Sequence, residues 1–220
     1  MSLYIVFEGL DGCGKTTHSK SLVERLKNSG RKAVWTREPG SPLITLNVRD
    51  LVLSHQELDP RALELLFQAD RAEHTSKIKQ LTQDGYDIVS DRSYISGLAY
   101  ALANDNDERR LKALLDYSIR IQPDIVFFLD ITPEEVEVRK QNRGEKQTRE
   151  ETKGIPFTRK VAENFHAILE ESSQTDFWET PHTRFVKIDA TLPKEEIEAI
   201  VNAEIAKTHE MRRTDSVALF

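Results

Sequence analysis

The sequence predicts an α/β fold in which helices cover both faces of a parallel sheet. Three observations carry this. Five β-rich runs alternate with helical stretches, those runs are almost continuously apolar, and a glycine loop sits between the first run and a helix. Strands buried on both faces need apolar residues at every position, not at every second one. The strands are expected over 3–8, 32–36, 86–91, 124–130 and 184–189. Their alternation with helices argues a doubly wound sheet, whose ligands lie beyond the carboxyl ends of the strands.

The first run, Leu3-Tyr-Ile-Val-Phe-Glu8, leads into Gly9-Leu-Asp11-Gly12-Cys13-Gly14-Lys15-Thr16-Thr17, the pattern G-x-x-x-x-G-K-[ST]. Glycines let the backbone turn tightly and aim several N–H groups at an anion, and the helix that follows adds its positive end. Lys15 supplies a mobile charge for β/γ-phosphates and the Thr16 hydroxyl can hold Mg²⁺. Cys13, among phosphate-facing amides at a helix N-terminus, is either placed where a thiolate can be stabilised or a small buried residue without reactivity.

The second run ends in Thr36-Arg37-Glu38-Pro39-Gly40, and Arg49 follows on a helix. Asp59-Pro60 places an N-cap before an N1 proline, so a helix starts near 60. On it Phe67, Arg71 and His74 fall on one face. A flat aromatic and a donor on one face could sandwich and read a planar base; core packing is the alternative. The third run ends in Ser90-Asp91-Arg92-Ser93. Asp91 could orient Mg²⁺ or its waters, and Arg92 could clamp a phosphate bidentately. Asp130, closing the fourth run, is the rival carboxylate for the metal. Ser96 and Tyr100 lie one turn apart. Thr132-Pro133-Glu134-Glu135 has capping-box spacing and starts a helix near 133, and the last begins near 193. Between them, Arg139 to Lys160 is basic and polar, either a solvated loop or a lid that carries arginines over phosphates. The lid is expected over about 139–156, within a single domain of residues 1–208. Residues 209–220 read as a tail without an assignable role, disordered by default.

Composition narrows the class. The 220 residues suffice for one domain with a substantial core, and the net charge of −6 argues against a nucleic-acid partner. No apolar run approaches the roughly 18 residues of a membrane span. No signal peptide is expected, and the single cysteine fits a reducing, cytoplasmic setting.

A glycine loop of this kind does not separate a kinase from a GTPase or an ATPase. The combination of motifs is more specific. Phe7-Glu-Gly-Leu-Asp-Gly-Cys-Gly-Lys-Thr-Thr17, Thr36-Arg-Glu-Pro-Gly40, Leu66-Phe-Gln-Ala-Asp-Arg-Ala72, Ser90-Asp-Arg92, Ser96-Gly-Leu-Ala-Tyr100, Pro123-Asp124 and Phe128-Leu-Asp130 occur in this order across residues 3–190. In these the chain resembles the thymidylate (dTMP) kinases of the P-loop nucleoside-monophosphate kinase group. The resemblance implies a P-loop kinase fold with a five-stranded parallel core and a mobile lid, a homodimer, Mg²⁺-ATP as donor and dTMP as acceptor. It implies that Gly9 to Thr17 bind ATP, with Asp11 meeting the deoxyribose 3′-hydroxyl. Arg49 and Arg92 would hold the acceptor phosphate, Phe67 would stack on thymine, and Arg71 would bond its carbonyl. Tyr100 would lie against the sugar, and Glu38, Pro39, Ser96 and Gly97 would complete the acceptor site. Lys15, Arg92 and the lid arginines Arg143 and Arg149 would be catalytic. Some relatives carry a basic residue at the position of Gly12, so here the duty falls to the lid. Many bacterial relatives carry Ser and Gln where this chain has Gly97 and Ala101.

Phosphorylation of dTMP to dTDP is therefore expected, with a kinase of another nucleoside monophosphate or small acceptor as the alternative. A GTPase-type switch would need a base-reading [NT]-K-x-D. Val186-Lys187-Ile188-Asp189 approaches it, but Val186 replaces the polar residue inside an expected strand.

Overall fold

The computed structural model describes residues 1–54, 58–104, 106–119, 121–141, 151–174 and 183–217. Five parallel strands, β1 (Tyr4–Glu8), β2 (Ala33–Arg37), β3 (Asp87–Asp91), β4 (Ile125–Asp130) and β5 (Arg184–Asp189), form one sheet in the order β2-β3-β1-β4-β5. All five lie within a residue of their expected bounds. β1 is central, and its five residues are buried, as are those of β3. Two aspartates seat its start: Leu3 N–H donates to Asp87 (2.9 Å) and Tyr4 N–H to Asp124 (2.6 Å). Phe7 stacks on Phe127 with ring centroids 5.2 Å apart, and Phe128 on Phe165 at 5.4 Å. Val186 to Asp189 fall inside β5, so the near-match to a guanine-reading motif is strand.

The helices are α1 (Lys15–Asn28), α2 (Val48–Ser54), α3 (Pro60–Gln83), α4 (Tyr94–Ala103), α5 (Glu108–Ser118), α6 (Pro133–Gln141), α7 (Gly154–Gln174) and α8 (Lys194–Val217). Their starts are chemically marked. Asp59 accepts from Arg61 N–H (2.9 Å) ahead of Pro60. Thr132 and Glu135 exchange backbone N–H bonds at 3.2 Å each, the reciprocal box that the spacing predicts.

Two expectations change. The tail read as disordered from 209 is helical to Val217, because α8 continues unbroken. The basic stretch has helical ends: Arg139 to Gln141 belong to α6, and a 3₁₀ turn at Glu151–Lys153 enters α7. Arg143 and Arg149 lie outside the described residues.

The chain runs from central β1 out to β2, back to β3, then across to β4. This reversal opens a crevice at the carboxyl end of β1, where the glycine loop leaves the sheet.

Candidate active site

The loop after β1 is tight. A Cβ at Gly9 would lie 2.6 Å from the Leu129 carbonyl oxygen and 2.9 Å from Cys13 Sγ, and φ there is +136°. Only glycine fits. The Cys13 thiol is therefore shut under the loop, with 1% of the residue exposed. Lys15 opens α1 and is itself buried; its Nζ donates to the Leu10 carbonyl (2.7 Å) and lies 3.6 Å from Cys13 Sγ. Gly12 and Gly14 also have positive φ, and Thr16 and Thr17 are exposed at the mouth. The Thr16 hydroxyl donates to Asp91 at the end of β3. Asp130, the rival carboxylate, is instead paired with Lys187 (2.8 Å) and His166 (3.2 Å).

Beside the loop stands Arg92, a non-glycine residue at φ +76°. Such a conformation persists only where its surroundings over-determine it. They do so here: Nη1 donates to the Gly9 carbonyl (3.1 Å) and to Ser96 Oγ (2.6 Å), Nη2 pairs with Asp11, and the guanidinium lies 5.3 Å from the Tyr100 ring centroid. Tyr100 donates to the other Asp11 oxygen at 2.9 Å. Burial alone would raise the Asp11 carboxyl, yet the Arg92 guanidinium, the Lys15 ammonium and the Tyr100 hydroxyl together hold it well below the usual carboxylate range. Burial and then the Asp11 charge push the Tyr100 hydroxyl up.

Arg49, on α2, faces the same space. Burial, then the like charges of Arg37 and Arg92, weaken its hold on its proton. A buried arginine whose charge is disfavoured in this way is stabilised by a bound anion.

On the opposite wall Glu38, 5% exposed, accepts from Arg71 Nε (3.0 Å) and approaches His74 Nδ1 (3.3 Å). The other His74 nitrogen meets Thr36 Oγ1 at 2.7 Å. His74 is thus an interior residue that holds the β2 loop, not a face of a base sandwich. Arg71 leaves Nη1 buried with no partner among the described residues. Its Nη2 occupies the space above Gly97, where any Cβ would collide with it. Phe67 is half-buried on α3, and Pro39, after a cis peptide bond, is half-buried in the turn that follows Glu38.

Several site residues escape sequence reading. Glu8 is fully buried and accepts from Ser93 N–H (2.8 Å), Ser93 Oγ (2.7 Å), Ser96 N–H (3.3 Å) and the Ser96 hydroxyl. Burial raises its carboxyl against the pull of Arg92. Ser96 is thereby committed to Glu8 and Arg92. Asp70 is buried with Gly40 N–H 3.2 Å from each carboxylate oxygen. Arg139 donates to the Ala190 carbonyl (2.7 Å) and lies 3.5 Å from the Cys13 carbonyl, tying α6 to the loop. A lone charge closing an otherwise apolar strand was the available signal for Glu8. Asp70 stands inside the Leu66–Ala72 motif, but nothing local to that motif predicts its burial against Gly40.

The family model for thymidylate kinase matches residues 7–201. The chain belongs to the thymidylate kinase family. A thymidylate kinase of Chlorobaculum parvum is 35% identical over 207 residues, 89% of this chain and 91% of the relative. One from Prochlorococcus marinus is 40% identical over 182 residues, covering 77% and 84%. A probable thymidylate kinase of Methanocaldococcus jannaschii is 34% identical over 203 residues, covering 91% and 93%. The match to the thymidylate kinase model spans β1 to α8, so it includes every residue of the crevice.

Proposed function

We propose that this protein transfers the γ-phosphoryl group of ATP to dTMP, giving ADP and dTDP in deoxynucleotide biosynthesis. A bond forms between an acceptor phosphate oxygen and γ-phosphorus while the β–γ bridge breaks. The acceptor is already an anionic oxygen, so no strong general base is required. The reading is carried by the buried Nη1 of Arg71, a donor with no partner among the described residues, on a guanidinium that lies against Gly97 of α4. A buried donor without a partner is costly, and a pyrimidine carbonyl would satisfy it.

The side chains take these roles. The amides from Gly9 to Thr17 and Lys15 hold the ATP phosphates. Arg49 and Arg92 hold the acceptor phosphate, and Ser96 acts through Arg92. Asp11, kept ionised by Arg92 and Lys15, accepts the 3′-hydroxyl of the acceptor sugar, with Tyr100 against its ring. Phe67 stacks on the base. Glu38 fixes the Arg71 guanidinium above Gly97, beside Pro39. Arg143 and Arg149 are assigned the catalytic role of lid arginines toward the transferring group. The Thr16 hydroxyl beside the Asp91 carboxylate fits Mg²⁺, a hard cation that takes oxygen ligands. Bound there, Mg²⁺ would neutralise charge on the β- and γ-phosphates.

We assign the enzyme to the cytoplasm on its single, buried, free cysteine. We also propose a homodimer. Leu51 on α2, Leu65 on α3 and Tyr117 on α5 are exposed apolar side chains on helices that pack on one another. Among the described residues no helix is long and apolar enough to cross a membrane.

The test is ADP formation from Mg²⁺-ATP with dTMP, dUMP, dCMP and dGMP. Cytosine presents an amino group where thymine has O4, leaving Arg71 facing a donor. That mismatch costs about 1–3 kcal/mol, roughly tenfold to over a hundredfold in kcat/KM. dUMP, lacking only a methyl, should be a measurable but poorer acceptor. Equal kcat/KM for dTMP and dCMP would reject base reading by Arg71 and leave a kinase of broader acceptor range.

A further inference from the structure

We propose that Lys140 is a further phosphate-facing cation of this active site, delivered across Gly12 from the last turn of α6. Val136 and Lys140 lie four residues apart and so share one face of α6. Val136 is 1% exposed and anchors that face, and its Cγ1 is 3.7 Å from where a Cβ on Gly12 would stand. Lys140 continues the same contact, with Cγ 3.6 Å and Cε 3.8 Å from that point. Its stem therefore runs along the bare backbone of the phosphate loop. Lysine commonly lays its methylenes on a surface while the ammonium reaches toward water or an anion.

The charge reaches the site. Against burial, which raises it, the Asp11 carboxyl is held down by Arg92, Lys15 and Tyr100 and then by the Lys140 ammonium. Asp11 stands two residues beyond Gly9 and pairs with Arg92, so Lys140 acts on the space between the two phosphate clusters. Gly12 and Lys140 work as a pair. The stem from α6 lies at van der Waals distance over the loop at Gly12. A compact ammonium on a flexible stem suits a group whose charge shifts during transfer.

This inference rests on the phosphoryl-transfer reading above, and the 220-residue chain tests it with Lys140→Met and Lys140→Arg. Methionine keeps the stem against Gly12 and removes the charge. In single-turnover measurements with ATP and dTMP, Lys140→Met should slow transfer about tenfold or more, the scale of losing one preorganised electrostatic contact. Its dTMP dissociation constant should stay within about twofold, because the acceptor phosphate is held by Arg49 and Arg92. Lys140→Arg should recover most of the rate. A Lys140→Met enzyme that transfers at the wild-type rate overturns the inference alone, as does an equal loss in Lys140→Arg. A wild-type chain that binds ATP but phosphorylates no nucleoside monophosphate overturns the underlying reading and this inference with it.

Discussion

The Lys15 ammonium is turned onto the Leu10 carbonyl at 2.7 Å, so ATP must offer phosphate oxygens in place of that neutral acceptor. The exchange favours ATP, since a phosphate oxygen meets the ammonium with a full negative charge and a carbonyl oxygen with only a partial one. Lys15→Ala should lower kcat by about two orders of magnitude or more with little change in melting temperature. Near-normal turnover would remove the loop from the catalytic machinery. Gly97 carries a second residue-scale effect, because a Cβ there collides with Arg71 Nη2. Gly97→Ala should move the guanidinium, raise KM for dTMP about tenfold and narrow the preference over dCMP, while the fold survives. Unchanged KM would mean that Arg71 does not read the base. The two residues differ in legibility. Lys15 belongs to a contiguous motif whose chemistry follows from spacing. The partnership of Gly97 with Arg71 joins α4 to α3, and no local pattern announces it.

At the scale of elements, two buried carboxylates fix how segments meet. Glu8, at the end of β1, gathers the N–H and hydroxyl groups of Ser93 and Ser96 and so seats the start of α4 and, through Ser96, Arg92. Glu8→Ala should lower stability by about 1–3 kcal/mol for each buried donor left unpaired. It should also reduce kcat/KM, because Arg92 loses its alignment. A stable variant with normal kcat/KM would contradict this. Asp70 joins α3 to the β2 loop through Gly40. Burial, then the Glu38 charge, raises its carboxyl to about 6. A carboxyl raised in the folded state binds its proton more tightly there than in the unfolded chain, whose value is about 3.9. Ionising it therefore costs stability, and the loss develops as pH rises from about 4 through about 6. Asp70→Asn keeps an oxygen for Gly40 N–H and removes the ionisation. It should flatten the fall in melting temperature between about pH 4 and pH 6 and be at least as stable as wild type near pH 8. An unaltered pH slope would show that Asp70 does not titrate there. Helix starts such as Asp59-Pro60 and the Thr132–Glu135 box were readable because cap chemistry is local. Asp70 and Glu8 act across more than one element, which periodicity does not register.

At the scale of the molecule, strand count and parallel winding follow from continuous apolar runs between helices, and the crevice follows from where β1 carries its loop. The true strand order was not in the pattern, since any parallel arrangement gives the same burial on both faces. Nor was α8 beyond residue 208, whose polar end carries no apolar stripe by which to recognise a helix. The assembly is the remaining question at this scale. Leu65 is 58% exposed in the second turn of α3 and Tyr117 is 76% exposed on α5, which packs against it. Apolar side chains on adjacent helices suit an interface in which the same patch serves both partners. An aspartate at 65 would bring two like charges together across the two-fold axis and bury them without a partner, while an exposed helix position in the monomer tolerates it. Leu65→Asp should sediment as a monomer at micromolar concentration with an unchanged circular dichroism spectrum. Its melting temperature should lose the dependence on protein concentration that a dimer imposes. A Leu65→Asp protein that sediments as wild type does would exclude this face of α3 from the interface.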